Sequence, residues 1–530
     1  MSREPFARAA LKQIPKILTL LDRNPHSPAY GCFDRNFWHY RTSDFPSGMA
    51  QEYTLPLALA YELNITGSPY YRQPAIRQWV EAGILYAARS AHGDGSCDDY
   101  FPYERASGAA AFSLLAFIES CSLLGLNDEA MTGFFRRRAD WLASHEESGR
   151  LSNHQALIAL SLALTAKLLK TSEWDEAQAQ RLDRVLEWQS REGWFQEYEG
   201  CDPGYHTLTL SCLARLYELA PTGKLKEAIT RAVHAASEFI HPDGSYGGEY
   251  GSRNTYNFFP HGFELAGRWL PEALAVNDRF LTGLTGGLGA CYEDDHIIGH
   301  HTWSYLLAWK DYVEARPAPT NRPEGRVVLK EAGILIDRRA GSELYVALNK
   351  GGVFKLFRDD ELVASDTQLS LLVRAGGKTR NAIGHLIDEY QTEAAEDEIT
   401  IRGRLGWAKH AQMTTLKLIV LRLAMITVGR FFPNLIRKLL QRMLITGKTD
   451  APFEFIRRLK PGGARLRIID ELHARSWDDV VAAGIGCDQT SIYVVMSRTF
   501  QRGQLQPWIE LTDEVRKLAP GQPLIVEREL

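Results

Sequence analysis

The sequence predicts a multidomain protein of mixed α and β class: an N-terminal incomplete or complete (α/α) toroid at 1–315, a linker at 316–325, and a C-terminal antiparallel β-sandwich at 326–530 carrying a helical hairpin insertion at about 416–448. Three observations carry this. A length of 530 residues exceeds what one hydrophobic core usually supports. Apolar residues recur at helical spacing as far as Val313. Beyond Ala315 a proline-rich stretch gives way to short runs rich in β-branched and aromatic residues.

In the first half, apolar residues three and four apart mark helices in Tyr53–Leu63, Ile76–Ala88, Ala109–Leu124, His154–Leu169, Leu182–Gln189, Leu208–Leu219 and Leu225–Phe239. Gly- and aromatic-rich loops follow helix pairs, as in His92-Gly93-Asp94-Gly95, Glu192-Gly193-Trp194-Phe195 and His241-Pro242-Asp243-Gly244. That layout is an array of α/α hairpins; closed on itself it gathers alternate loops round one mouth, and left open it is a solenoid. The linker contains Pro317, Pro319 and Pro323, which lack an amide donor and end helical pattern.

In the second half, Val327–Ile336, Glu343–Leu348, Val353–Phe357, Leu369–Val373, Glu398–Ile401, Arg465–Ile469, Ser491–Met496 and Leu524–Glu527 read as strands. Leu416 to Lys448 interrupts them with helical periodicity, a break at Gly429 to Pro433, and six basic and no acidic residues from Lys417 to Arg442. Lys417, Arg422 and Arg430 break any span long enough to cross a bilayer, which leaves an amphipathic hairpin at a membrane surface or an insertion that packs on the protein or binds a partner.

A formal net charge of -4 argues against nucleic acid as a partner. Seven scattered cysteines without a C-x-x-C pair suggest neither a disulfide framework nor a zinc site, and Cys201 reads as a bystander. The first residues mix charge into apolar positions, unlike a secretory signal, so a cytoplasmic location, with or without peripheral attachment to the inner membrane face, is expected.

The residue types that carry chemistry gather at helix starts. Asn153 and His154 precede the apolar run Ala156–Leu169, where free backbone amides favour an anion, although an Asn or Ser there is equally an ordinary cap. Tyr205 and His206 open Leu208–Leu219 after Pro203-Gly204, behind an acidic and aromatic loop, Trp194 to Glu199. A third cluster offers Glu249, Arg253, Asn254, Tyr256 and His261; Arg253 presents a fork for a carboxylate or pairs with Glu249. His300 and His301 are adjacent and cannot both face one point, so with Glu293, Asp294, Asp295 and His296 they do not favour a metal. Trp38, Tyr103 and Arg105 are candidate walls of a sugar site. Removing the proton alpha to a uronate carboxylate needs the carboxylate neutralised, a base at C5 and an acid at O4. Amide, imidazole, guanidinium and phenol suffice, so no cofactor is expected.

Asn153-His154 and the helix that follows, Gln155 to Leu164, resemble the Asn-His helix of the heparinase II/III-like polysaccharide lyases, and Tyr205-His206 resembles their downstream Tyr-His helix. The resemblance covers nearly the whole chain and implies an α/α toroid followed by a β-sandwich. It implies Asn153 as the neutraliser, His154 as a base or carboxylate contact, and Tyr205 as an acid that also serves as base. Three departures stand out: Ala364 to Ser370 lacks the histidine of the family's metal-binding motif, the basic hairpin is foreign to the pattern, and a secretion signal is missing. The leading expectation is β-elimination on an anionic, uronic-acid-containing poly- or oligosaccharide. A uronate C5-epimerase and a non-catalytic glycan-binding or assembly protein stay open.

Overall fold

Helices form the first half of the computed structural model, which describes residues 2–147, 149–198, 200–291, 297–319, 322–387, 389–408, 414–441, 448–462, 465–486 and 499–530. They are α1 (Glu4–Leu11), α2 (Ile14–Leu20), α3 (Thr54–Glu62), α4 (Pro74–Ser90), α5 (Ser107–Leu124), α6 (Glu129–Ser144), α7 (Ser152–Leu169), α8 (Asp175–Glu187), α9 (Pro203–Leu219), α10 (Gly223–Phe239), α11 (Pro260–Ala266), α12 (Pro271–Thr285) and α13 (Ile298–Lys310).

Helices α3, α5, α7, α9, α11 and α13 each pack on the next, and α13 packs back on α3, so the ring closes. The sequence explains which helices lie inside. Helices α5 and α7 carry apolar residues around most of their circumference and bury most of their length, as a helix surrounded by neighbours must. The outer helices α6, α8 and α10 bury one stripe and show charge on the other face. Their starts follow local chemistry: Asp128, Asp202 and Thr222 accept from the backbone N–H three residues on, opening α6, α9 and α10. Proline sits in the first turn of α4, α9, α11 and α12, where its missing N–H costs nothing. Helix α5, long and apolar enough to cross a membrane, is 83% buried here as a ring helix.

The second half is built from antiparallel strands. The short pair β1 (Gln196–Glu197) and β2 (Gly200–Cys201) belongs to the toroid. After the linker, β3 (Gly325–Leu329), β4 (Ile334–Arg339), β5 (Ser342–Ala347), β6 (Val353–Arg358) and β7 (Glu361–Asp366) form a five-stranded meander. The run Val327–Ile336, expected as one strand, is the hairpin β3–β4. Next come β8 (Leu369–Ala375), β9 (Lys378–Ile383), β10 (Gln391–Ala394), β11 (Ile399–Trp407), β12 (Asp450–Gly462), β13 (Arg465–Ala474), β14 (Val480–Ile485), β15 (Ile509–Glu510) and β16 (Leu524–Glu529). They make a larger sheet in the order β15-β14-β8-β9-β11-β12-β13-β16, with β10 beside β11. The expected strand Ser491–Met496 lies outside the described residues.

The meander is buried on both faces. Ile334, Ile336, Tyr345, Ala347 and Phe357 join the toroid's core. Leu335, Leu344, Val346 and Phe354 pack with Leu371, Ile401, Phe455 and Leu472 of the larger sheet. That is why Ile334–Ile336 of β4 and Leu344–Ala347 of β5 read as continuous apolar runs rather than alternating ones. Within Ala364–Ser370, Asp366 meets Arg457 at 2.8 Å and Arg528 at 2.8 Å, so a pair of guanidiniums neutralises the carboxylate. Between β11 and β12 the hairpin insertion consists of α14 (Thr415–Ala424), a π-turn over Met425–Gly429, and α15 (Pro433–Gln441).

Candidate active site

Three chain segments meet at the start of α7. Strand β1 runs beside it: Leu151 bridges to Glu197, and Ser152 Oγ donates to the Gln196 carbonyl at 2.7 Å. This places the Glu197 carboxylate, fully buried, under the first turn of the helix. It accepts from the Asn153 backbone N–H at 2.8 Å and from Asn153 Nδ2 at 2.7 Å. Asn153 Oδ1 is left buried without a hydrogen-bond partner.

The third segment is the loop from Glu249 to Tyr256. Asp202 ties it to α9: one carboxylate oxygen accepts from the Tyr205 N–H at 3.1 Å and from the Thr255 hydroxyl, and the other accepts from the Arg253 N–H at 3.0 Å. Gly204 is required here, because a Cβ on it would run into Thr255 and Asn257. Arg253 then reaches Glu197 at 3.5 Å, with its guanidinium 4.7 Å from the centre of the Tyr205 ring and 4.1 Å from that of Tyr198. From the meander, Lys350 Nζ pins the same loop, donating to the Glu249 carbonyl at 2.6 Å, the Gly251 carbonyl at 2.8 Å and Asn254 Oδ1 at 2.6 Å.

His154 faces the other way along the first turn. Its Nδ1 meets Glu147 Oε2 at 2.6 Å, and the imidazole remains 23% exposed. The ring lies against α5, where Gly108 makes room: a Cβ there would stand 2.9 Å from His154 Cε1 and 3.0 Å from Nε2.

The charges set the proton affinities. Burial disfavours charge on Glu197, and although Arg253 and Asn153 favour the carboxylate, its pKa rises to about 7. Burial works against the His154 imidazolium too, but Glu147 and Glu197 outweigh it and the pKa is raised. Burial pushes the Tyr205 phenol up, with Asp202 and Glu197 adding to the effect and Arg253 opposing it. Tyr205 is therefore held as a proton-bearing phenol, while His154 and Tyr205 share the electrostatic influence of Glu197 and Arg253. The arrangement offers a partly exposed imidazole, a phenol and a guanidinium near a carboxyl group that changes charge near neutrality.

The structure brings Asn153, His154, Tyr205 and Arg253 together. It adds Glu147, Gly108 and Lys350, for which helix periodicity carries no signal, and it gives partners to Glu197 and Tyr198 of the Trp194 to Glu199 loop and to Asp202. Several expectations are not met. The Asn153 amide was expected to face a substrate carboxylate, yet its Nδ2 is engaged by Glu197. Arg253 does not pair with Glu249; the latter meets Lys355 at 3.0 Å and accepts from the Tyr256 hydroxyl, so Glu249, Tyr256 and Asn254 brace the loop from within.

His206, expected to contact substrate, is fully buried, stacked on Phe195 and bonded through Nε2 to the Ala232 carbonyl at 2.8 Å, and burial lowers its pKa to about 4. One residue after Tyr205 a helical side chain points about 100° away, here into the core. His261 is buried against Asp311 at 2.9 Å, and His300 is buried against Glu52 at 2.8 Å and Phe112. The acidic stretch Glu293 to His296 lies outside the described residues. Cys201 is buried, and burial raises its thiol well above the ordinary value.

Trp38, Tyr103 and Arg105 lie in another sector. Trp38 donates to the Leu20 carbonyl at 2.7 Å, and Arg105 pairs with Asp94. Tyr103 lines a cavity of about 320 Å³ together with Asp44, Phe45, His92, Asp98 and Ile426. None of the Asn153 cluster borders this cavity.

No family model and no curated protein matches the sequence. Solved structures share its fold. A xanthan lyase from Paenibacillus superposes with a TM-score of 0.50 at 12% identity over 90% of this chain and 46% of its own. A chondroitin AC lyase from Streptomyces coelicolor A3, in complex with chondroitin sulphate, gives 0.51 at 11% identity over 91% of this chain and 67% of its own. The chain thus spans about half the length of the xanthan lyase (46%). The likeness to these two lyases is one of fold.

Proposed function

We propose that this protein is a polysaccharide lyase of heparinase II/III-like type, cleaving an anionic, uronic-acid-containing glycan by β-elimination. The observation that carries the reading is the convergence of Asn153, Tyr205 and Arg253, from three separate segments, around the buried Glu197, with His154 on the same helix turn as Asn153 and within the electrostatic reach of Glu197 and Arg253. The shared fold with a xanthan lyase and a chondroitin AC lyase supports it.

In this reading the uronate carboxylate takes the place of Glu197 as the partner of Arg253. A second carboxylate beside Glu197 raises its pKa further above 7, so Glu197 takes up a proton and the site accepts the anion without gaining charge. Neutralising the uronate carboxylate makes the C5 proton removable. His154, neutral and held by Glu147 through Nδ1, takes that proton on Nε2. The electron pair forms the C4–C5 double bond, the C4–O4 bond breaks, and the Tyr205 phenol gives its proton to the departing O4. Burial suits Tyr205 to the acid's part, because it disfavours the phenolate.

The test is incubation of the purified protein with a panel of polyuronides and glycosaminoglycans, following the ultraviolet absorbance of the unsaturated product. Rising absorbance with some member supports the reading; silence across the panel from a protein with intact circular dichroism sinks it. Deuterium entering C5 from solvent without chain cleavage would replace elimination by epimerisation.

A further inference from the structure

We propose that the hairpin Thr415–Gln441 is a docking surface for an anionic phospholipid bilayer. It is anchored on its inner side. Met425 and Gly429 are buried, Arg422 meets Asp44 of the toroid at 3.0 Å, and its guanidinium lies 5.3 Å from the centre of the Phe45 ring. That anchorage decides which side faces out, and the outward side is apolar. Helix α14 buries no residue. Leu416 is 71% exposed, Phe431 65%, Leu435 62% and Phe432 61%, with Val420, Leu423, Val428 and Leu439 also open to solvent. Exposed apolar patches that continue along two helices and the turn between them mark interaction surfaces.

Charge identifies the occupant. The stretch from Lys417 to Arg442 holds six basic and no acidic residues in a chain whose net charge is -4, so the hairpin stands out electrostatically from the rest of the molecule. Aliphatic and aromatic side chains interleaved with the exposed Lys417 and Arg430 match a surface with a hydrocarbon interior under a negative headgroup layer. Protein interfaces of such size carry a hydrogen bond per 100–200 Å². Here, among the described side chains between Leu416 and Leu439, the exposed residues that are neither apolar nor basic are Thr427 and Asn434. A second copy docked through the same face sets basic side chains against each other. Each arm, about ten residues or 15 Å long, is too short to span a bilayer and lies along its surface.

The experiment is sedimentation of the full-length protein with vesicles of phosphatidylcholine alone and of phosphatidylcholine with about one third phosphatidylglycerol. The protein is expected to sediment with the anionic vesicles at least about tenfold more strongly than with the neutral ones, and less as salt rises. The double substitution Phe431→Ser and Phe432→Ser, at exposed positions, is expected to weaken that binding at least about tenfold without changing Tm. Arg430→Glu is expected to weaken it selectively for anionic vesicles. Absence of binding to anionic vesicles, or binding that ignores these substitutions, overturns the proposal. So does a dimer that the double substitution converts to monomer while neither form sediments.

Discussion

Arg253 and Glu197 form a buried ion pair at 3.5 Å, and the same guanidinium lies over the ring of Tyr205, so one side chain links the carboxylate beneath α7 to the phenol at the start of α9. Under the proposed reaction, a substrate carboxylate paired with Arg253 stands beside Tyr205, the proposed acid.

Tyr205→Phe keeps the ring under Arg253 and removes only the hydroxyl. Turnover is expected to fall by about 10²–10⁴-fold, with binding of an oligosaccharide nearly unchanged by calorimetry. Equal losses in affinity and turnover would make Tyr205 a binding residue.

Glu147 orients His154 and raises its pKa against the effect of burial. As the proposed base His154 acts when neutral, so the acid limb of the pH-rate profile is expected at this raised value, with activity growing as pH climbs through it. Glu147→Gln removes the opposing charge and leaves burial in control, and the limb is expected to move down by about one to three pH units.

Glu197 makes stability depend on pH in the direction unusual for a carboxylate. Its pKa is about 7 in the folded protein against an ordinary 4.5, so between these values the folded state keeps a proton that the unfolded chain has released. The contribution is fully present below pH 4.5 and lost as pH rises through 7. Glu197→Gln is expected to flatten this part of the Tm-against-pH curve, a change of up to about 3 kcal/mol. Glu197→Ala, which strands Arg253 and Asn153, is expected to cost about 3–5 kcal/mol in denaturant unfolding.

Gly108 tests the position of His154 from the neighbouring helix. Gly108→Ala adds a methyl group 2.9 Å from the imidazole while improving helix propensity by about 1 kcal/mol. Activity is expected to drop about 10–100-fold with Tm unchanged or higher. A silent substitution would show that the ring's placement is not critical.

Lys350 reaches from the meander to three acceptors on the loop that presents Arg253. Lys350→Met leaves those acceptors unpaired in a buried place and is expected to cost about 2–4 kcal/mol of stability. Because the loop it holds carries Arg253, KM for an anionic substrate is expected to rise more than kcat falls.

By itself the sequence determined what local chemistry dictates. The three- and four-residue periodicity located the ring helices α3, α5, α7 and α9 but not α11 and α13, the prolines after Ala315 marked the passage from the helical half to the strands, and Gly429 to Pro433 marked the turn of the hairpin. The polar residues at the starts of α7 and α9 stood out because capping and turn residues surround them: Asp202, Pro203 and Gly204 set the start that displays Tyr205.

The tertiary structure decided everything that depends on residues meeting from afar. Closure of the ring needs α13 against α3, a contact no periodicity encodes. Glu197 stands 44 residues from Asn153 and Lys350 stands 96 from Asn254, so their pairing emerges only when β1 and the meander are in place. The same geometry turned His206, His261 and His300 into core residues. A helix start fixes where a backbone points its amides, but the packing of neighbouring helices decides which side chain meets solvent and which meets the core.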